Sequence, residues 1–399
     1  MRRFKTLDDV TVAGKRVLVR VDLNVPMQDG RVSDTTRIER LVPTIERLQR
    51  AGAKVVLLSH FGRPKGKPDP AYSLRPLVGP LSAALAGKPV AFAEDCVGPA
   101  ARAVIDRLAD GDIALLENLR FHAGEEANDP AFAQELASLG DLYVNDAFSA
   151  AHRAHASTEA IARLLPAAAG MLMQAELDAL TAALEHPQRP VLALVGGSKV
   201  STKLDLLNSL VSKVDFLVIG GAMANTMLLA RGVEVGKSLA ERDLLGTAKD
   251  IFAAAERASC AIILPEDAVI AEKLAPNMPT EVVPIDAIPT DRMVLDIGPR
   301  SVDVITDRLT KCRTVVWNGP VGAFETKPFD KATMAIAIRL AELTEAGTVM
   351  SVAGGGDTLA AVAAAGVTDR LTYVSTAGGA FLEWLEGRVL PGVAALTQD

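Results

Sequence analysis

Along the chain, short continuous apolar runs alternate with longer stretches in which apolar residues return every three or four positions. The runs are RVLVRVDLNVP, AKVVLLSHFGRP, DIALLEN and DLYVNDAF in the first part, then PVLALVGGSK, DFLVIGG, AIILPED, TVVWNGP and TVMSVAGGGD in the second. Four to six consecutive apolar residues rich in Val and Ile, closed by Gly or polar residues, predict strands buried on both faces of a parallel sheet. Their brevity argues against buried helix segments. Strand-then-helix alternation throughout predicts an α/β class in two successive sets of units.

Between the two sets lies MLMQAELDALTAALEHPQRP, residues 171–190, with Leu172, Ala175, Ala179 and Ala183 at helical spacing and Pro187 and Pro190 to end it. Its mid-chain position predicts an interdomain helix. Length agrees: 399 residues suit two domains, or three.

Ligands of open parallel sheets bind at the carboxyl ends of strands, where loops meet helix N-termini. Here each run ends in its most polar residues. In the first set these are Asp22, Leu23 and Asn24, then His60, Phe61, Gly62 and Arg63, then Arg120, and Arg153 in AHRAH, with Arg37 following in SDTTRIER. If the runs are adjacent strands, Arg37, His60, Arg63, Arg120 and Arg153 converge on one small polyanion. Guanidinium forks match phosphate and carboxylate oxygens and do not lose their charge. Asp22 and Asn24 then accept ligand hydroxyls, or close an Asx-turn before Pro26.

In the second set, Gly196 and Gly197 let the backbone approach a phosphate, Ser198 is placed to cap a helix, and Lys199 and Lys203 are expected at i,i+4 on one helical face. Two like charges so placed are either ordinary surface lysines or the two sides of an anion held at a helix N-terminus. Gly354, Gly355 and Gly356 precede Asp357 and Thr358 at another strand–helix junction; Asp357 is a candidate Mg²⁺ ligand or a plain N-cap. Gly220 and Gly221 offer a small-residue wall for a flat base, and Glu325, beyond Asn318 in WNGPVGAFE, an acceptor for ribose hydroxyls. Neither common nucleotide fingerprint is met. GxxxxGK[ST] fails at Gly236-Lys237-Ser238 because Arg231 stands where Gly is required, and no G-x-G-x-x-G follows a strand.

Composition narrows the classes. With 42 Lys+Arg against 49 Asp+Glu, the net charge of −7 speaks against a nucleic-acid-coating protein, and 4% aromatics leave few stacking platforms. Residues 1–160 carry 21 basic and 21 acidic side chains, so the whole deficit lies after residue 160. Cys96, Cys260 and Cys312 are far apart and form no CxxC pair, which argues against a disulfide scaffold or structural zinc. The N-terminus turns acidic by Asp8 and no apolar stretch is long enough to span a bilayer, so a soluble cytoplasmic protein is expected.

Taken together, VDLNVP, SHFGRP, ENLRF, AHRAH, GGSKVSTK, IGGAMA, WNGPVGAFE, GGGDT and STAGGAFLEWLEG resemble the phosphoglycerate kinase family in order and spacing over essentially the whole chain. The resemblance implies two Rossmann-like domains, each a mostly parallel sheet flanked by helices, joined by an interdomain helix. Its boundaries would be 1–170 for a 3-phosphoglycerate domain with tail 380–399 packing back, 171–187 for the helix, and 188–379 for a nucleotide domain. Carried across, Asp22, Leu23, Asn24, Arg37, His60, Phe61, Gly62, Arg63, Arg120 and Arg153 would bind 3-phosphoglycerate. Gly197, Lys199, Lys203, Gly221, Asn318, Glu325, Gly355, Gly356, Asp357 and Thr358 would bind MgATP or MgADP, with Asp357 on Mg²⁺.

The activity implied is reversible phosphoryl transfer between ATP and the carboxylate of 3-phosphoglycerate, in a monomer that closes about a hinge. Arg37 and Lys199 are the expected transition-state pair, and His60 binds substrate without becoming phosphorylated. One departure stands out: members commonly have three glycines after the late Ser-Thr, and here Ala377 follows Ser375-Thr376, which strains the backbone if that site needs φ > 0. A dinucleotide-dependent dehydrogenase lacks its glycine fingerprint here. A hinge-closing binding protein would leave Lys199, Lys203 and GGGDT without a role.

Overall fold

The structure is a computed structural model that describes residues 4–397. The chain forms two compact units: the described residues up to Leu177 together with those from Val389 onward, and Asp178–Arg388.

The first unit contains strands β1 (Arg16–Arg20), β2 (Met27–Gln28), β3 (Arg31–Val32), β4 (Lys54–Leu58), β5 (Val90–Ala93), β6 (Ile113–Leu116), β7 (Leu142–Asn145) and β8 (Ala167–Ala169). β2 and β3 form a small antiparallel ribbon. The other six make one parallel sheet in the order β5–β6–β4–β1–β7–β8. The helix Thr36–Arg50 buries Ile38, Leu41, Ile45 and Leu48 along one stripe. These join Val17, Val19, Leu57 and Leu115 in the core.

The second unit contains β9 (Val191–Val195), β10 (Phe216–Ile219), β11 (Ala261–Ile263), β12 (Asp267–Ala271), β13 (Glu281–Pro284), β14 (Met293–Ile297), β15 (Thr314–Asn318), β16 (Met350–Gly354) and β17 (Tyr373–Ser375). Its parallel sheet runs β11–β10–β9–β15–β16–β17. Counted within the sheet, that is the 3-2-1-4-5-6 order of doubly wound nucleotide folds. A separate antiparallel sheet β13–β12–β14, which none of the apolar runs above predicts, completes the second unit.

Each apolar run named above is a strand of one of the two parallel sheets. The additional strands of those sheets are β5, an Ala- and Phe-bearing edge strand that is only partly buried, β8, three alanines of poor β-propensity, and β17, three residues long. Length and composition hid them.

The mid-chain helix spans Met171–Leu180 and continues into one wider turn, Thr181–Glu185. Its buried face is Met173, Leu177, Leu180 and Leu184 together with Ala179 and Ala183 of the expected set, while Ala175 is exposed and Leu172 partly so. The period was legible but its phase was set by the bulkier side chains. The two compact units divide inside this helix, after Leu177. The return to the first unit starts at Val389, later than the expected 380, because helix Gly379–Leu385 packs on helix Leu204–Val211 and buries Phe381 and Leu385 in the second unit. Beyond it, the Gly392 N–H donates to the Ala151 carbonyl at 2.8 Å and Phe4 bridges to Thr397. Ala377 is not among the described residues with positive φ; Gly378 takes that position at +56°.

Asp146, at the end of β7, is fully buried. Its Oδ1 accepts the N–H groups of Leu172 and Met173 at 2.9 and 3.1 Å, capping the mid-chain helix from outside it. Burial outweighs these bonds and raises its pKa to about 6. A carboxyl raised in the folded state holds its proton better there than in the unfolded chain. Its stabilising contribution is therefore full below about pH 4 and is lost as pH rises through about 6. Between pH 5 and 7.5 the wild type should lose about 1 kcal/mol more stability than Asp146→Asn, which urea unfolding of both proteins at the two pH values measures.

Candidate active site

In the first unit, β6, β4, β1 and β7 are adjacent and parallel, so the loops carrying Arg120, His60, Asp22 and Ser149 leave the same edge of the sheet. Asp22 Oδ1 accepts the Asn24 N–H at 3.0 Å, which is the Asx-turn. Its Oδ2 accepts Arg37 Nη1 at 2.5 Å and the Ser149 hydroxyl. Asp22 thus ties the loops after β1 and β7 to the first turn of helix Thr36–Arg50. Asn24 Oδ1 accepts the Gly62 N–H at 3.0 Å, and Leu23 donates its N–H to Ser59 Oγ at 2.9 Å, linking the β1 and β4 loops.

Asn118 organises the next loop. Its amide donates to the carbonyls of Phe61 and Tyr72 at 2.7 and 2.8 Å, and its Oδ1 accepts the N–H groups of Phe61 and Arg120. Arg120, 4% exposed, donates to the Gly62 carbonyl at 2.7 Å and pairs with Glu126 at 3.3 Å. Arg153 donates to His152 Nε2 at 3.2 Å, and Arg63 is exposed.

Behind this edge lies a network that sequence reasoning missed. Arg20 is 1% exposed; it donates to Ser157 Oγ at 2.9 Å, to the Val21 carbonyl, and meets His60 Nδ1 at 2.9 Å. Ser157 in turn donates both its N–H and its hydroxyl to the fully buried Glu125, at 2.9 and 2.6 Å. A guanidinium has no acceptor, so His60 Nδ1 must accept, which leaves the imidazole proton on Nε2. Burial first, then the charges of Arg20, Arg120 and Arg153, hold the His60 pKa well below its usual value. His60 is therefore a neutral donor. His155 is brought down to about 4 by the same causes. The signal was present in the sequence: an Arg closing the apolar run RVLVR is costly in a buried strand unless every donor is matched.

In the second unit the expected phosphate loop departs from a helix. Residues 198–203 form turns, and the helix begins at Leu204 with Lys203 as its N-cap residue. Ser198 therefore caps nothing, and Lys199 and Lys203 do not share a helical face. Ser201 fixes the turn by donating its N–H at 3.0 Å and its hydroxyl to Glu241. Lys203 instead folds back under the strand ends. Its Nζ donates to Gly196 O at 2.5 Å, Asn318 Oδ1 at 2.7 Å and Asn318 O at 3.3 Å. Burial lowers its pKa to about 8, against the opposing pull of Asp357. Lys199 is exposed.

This packing requires glycine. Gly319, at φ +100°, brings its backbone against Gly196, and a Cβ there would strike the Gly196 carbonyl oxygen. Gly355, at φ +99°, is the N-cap residue of helix Gly356–Ala364, and a Cβ would strike the Asn318 amide. The N-cap place is thus filled, and Asp357 lies exposed in the first turn instead. Asn318 and Thr358 are buried. Asn318 Nδ2 donates to Gly354 O at 2.8 Å, and Thr358 Oγ1 accepts the Gly319 N–H at 2.7 Å. Both hold backbone in place.

A cleft of about 350 Å³ opens here, lined by Gly197, Gly221, Ala222, Val321, Glu325 and Asp357, with Leu239, Leu274 and Ile285 among its apolar residues. Small residues and aliphatic side chains suit a flat ring, and Glu325 and Asp357 add carboxylates to the lining. Among the described residues, no helix is long and apolar enough to cross a membrane.

Comparison with known proteins points to one family. The sequence matches the family Phosphoglycerate kinase over residues 7–388. It is 64% identical over 397 residues to the phosphoglycerate kinase of Methylorubrum extorquens (strain PA1), covering 99% of each chain. It is 63% identical over 393 residues to that of Rhodospirillum centenum, covering 98% of this chain and 99% of the other. Among solved structures, phosphoglycerate kinase from Coxiella burnetii superposes with a TM-score of 0.92 at 41% identity, and that from Pyrococcus horikoshii OT3 with 0.81 at 31%, each covering 98% of both chains.

The Arg20–His60 contact has a direct spectroscopic consequence. In ¹⁵N NMR of the imidazoles, assigned through His60→Gln, His60 should show a protonated Nε2 and a bare Nδ1 from pH 8 down to pH 6. An imidazolium forming at or above its ordinary pKa of about 6.5 would contradict the assignment.

Proposed function

The chain belongs to the phosphoglycerate kinase family and so catalyses reversible phosphoryl transfer between ATP and the carboxylate of 3-phosphoglycerate, giving 1,3-bisphosphoglycerate and ADP; we propose how its residues divide that work. What carries the division is that each parallel sheet ends in a separate anion-suited site: a basic cluster after β1, β4, β6 and β7, and a glycine-lined cleft after β9, β10 and β15.

The acceptor carboxylate, with a pKa of about 4, is ionised at neutral pH and needs no general base. The obstacle is repulsion between it and the phosphoryl group, and charge on the equatorial oxygens in the transition state. In the first unit, Arg63, Arg120 and Arg153 bind the substrate phosphate and carboxylate, and His60 donates from Nε2. Asp22 and Asn24 orient the substrate, and Leu23, Phe61 and Gly62 shape the loops around it. Asp22 also aims Arg37, whose remaining N–H donors face the reacting group.

In the second unit, ATP arrives as its Mg²⁺ complex. Mg²⁺ binds through one or two carboxylates together with phosphate oxygens, and the exposed Asp357 beside Gly197 and Gly221 supplies a carboxylate of that kind. Bound there, the ion would neutralise charge on the phosphates. Gly355, Gly356 and Gly197 bring backbone to the phosphates, Lys203 adds a fixed positive charge, Asn318 and Thr358 support both, and Glu325 takes the ribose. Lys199, exposed on its turn, joins Arg37 on the transferring group. The reading includes closure of the two units about a hinge, which excludes water, and a cytoplasmic monomer.

A coupled assay of ATP-dependent 3-phosphoglycerate phosphorylation tests the reading, and a folded but inactive protein would overturn it. Lys199→Ala should lower kcat at least 100-fold, about 2.7 kcal/mol of transition-state stabilisation, with KM for either substrate changed less than threefold. Near-normal kcat in that variant would remove Lys199 from the transition state.

A further inference from the structure

Three side chains of different donor chemistry meet at the edge of the first unit, away from the basic cluster's centre. Asp95 and Cys96 lie in the loop after β5, just before helix Gly98–Ile105, and His122 follows the short helix Leu119–Phe121 after β6. Because β5 and β6 are paired in parallel, both loops leave the same edge. His122 Nε2 and Asp95 Oδ1 are 2.7 Å apart. Together with Cys96 Sγ, the donor atoms all lie within 4.8 Å of one another, the one such group of His, Cys, Asp or Glu among the described residues.

We propose that Asp95, Cys96 and His122 form a binding site for a thiophilic divalent cation, of which Zn²⁺ is the best match. Thiolate, imidazole and carboxylate are its usual ligands, at about 2.3 Å for sulfur and about 2.0–2.2 Å for nitrogen and oxygen. Tetrahedral placement at those lengths puts donors about 3.3–3.7 Å apart, between the 2.7 Å His122–Asp95 contact and the 4.8 Å within which all three donor atoms lie. To reach that spacing, His122 Nε2 must draw back from Asp95 Oδ1, which also accepts the Cys96 N–H at 2.7 Å. The side chains of Asp95 and His122 are 43% and 33% exposed, so ion and solvent have access, while Cys96 is wholly buried and forms the floor.

The imidazole is already aimed: its ring stacks on Phe132 with centroids 5.1 Å apart. Burial first, and then the negative charge of Asp95 and Glu125, push the Cys96 thiol well above its usual pKa, so the thiolate forms there only with a cation bound beside it. On binding, the Cys96 S–H bond breaks, the metal–sulfur bond forms, and one proton leaves to solvent. The proton that His122 Nε2 shares with Asp95 Oδ1 moves through solvent to Nδ1, so that the neutral imidazole offers Nε2 and the carboxylate its oxygen to the metal, and a water completes the fourth position. Such an ion would tie residues 95–96 to the segment that carries Arg120, two positions before His122.

The test uses the full-length protein, freed of metal with a chelator and without nucleotide. Titration with Co²⁺ should give a thiolate-to-cobalt charge-transfer band and tetrahedral ligand-field bands that saturate at one equivalent. Competition with a chromophoric chelator should give a Zn²⁺ Kd below 10 μM. Cys96→Ser should lose the charge-transfer band, and His122→Gln and Asp95→Asn should each weaken Zn²⁺ at least tenfold while circular dichroism stays unchanged. Cys260→Ser and Cys312→Ser should leave both readouts unaltered. A Zn²⁺ Kd above 10 μM, a cobalt spectrum without the thiolate band, or a band that survives in folded Cys96→Ser would overturn the proposal.

Discussion

A parallel strand covered by helices on both faces can place charge only at its ends, and both six-stranded sheets follow that constraint. β1, β4, β6 and β7 are buried almost throughout, and the polar residues begin where they stop, at Asp22, Ser59, Glu117 and Asp146. The same holds for β9, β10, β15 and β16. Where strand order reverses, between β1 and β7 and between β9 and β15, the connecting helices diverge and leave a crevice. In the first crevice Asp22 bonds Ser149; in the second Lys203 reaches Asn318. Each candidate site is therefore a consequence of sheet topology before it is a matter of particular residues.

What the particular residues add is fixed geometry. Arg20, Ser157 and Glu125 form a buried chain that holds the His60 ring, and Asn118 holds the loops bearing Phe61 and Arg120. Burying Arg20 and Glu125 is tolerable only because each is matched with oppositely disposed partners. In the second unit Lys203, Asn318, Thr358 and four glycine backbones brace one another. A reaction that moves charge between anions gains most from donors that need no rearrangement when the charge arrives, and these two scaffolds supply that order in advance.

The antiparallel sheet shows the other side of the constraint. β13 is mostly exposed, and β12 and β14, though five residues long and largely buried, each carry an aspartate, Asp267 and Asp296, so neither reads as an uncharged apolar run. β14 nevertheless builds part of the second unit's cleft, through Met293, Val294 and Leu295. The wall of small residues was legible because Gly and Ala stand out; the aliphatic wall was not, because Leu and Ile are common everywhere.

The sequence by itself determined the α/β class, the two sets of parallel strands, the family and the residues that end each strand. These are local matters, since an apolar run closed by Gly or a charge needs no knowledge of its neighbours. Tertiary structure alone decided that Arg20 supports His60, that Lys199 and Lys203 part company, that Asp357 lies beyond a cap already filled by Gly355, and that Asp95, Cys96 and His122 meet. The physical reason is common to all four: each depends on a strand-end loop whose path is set by a neighbouring loop distant in sequence. Gly196 bends as it does because Gly319 and Pro320 press on it from 120 residues away.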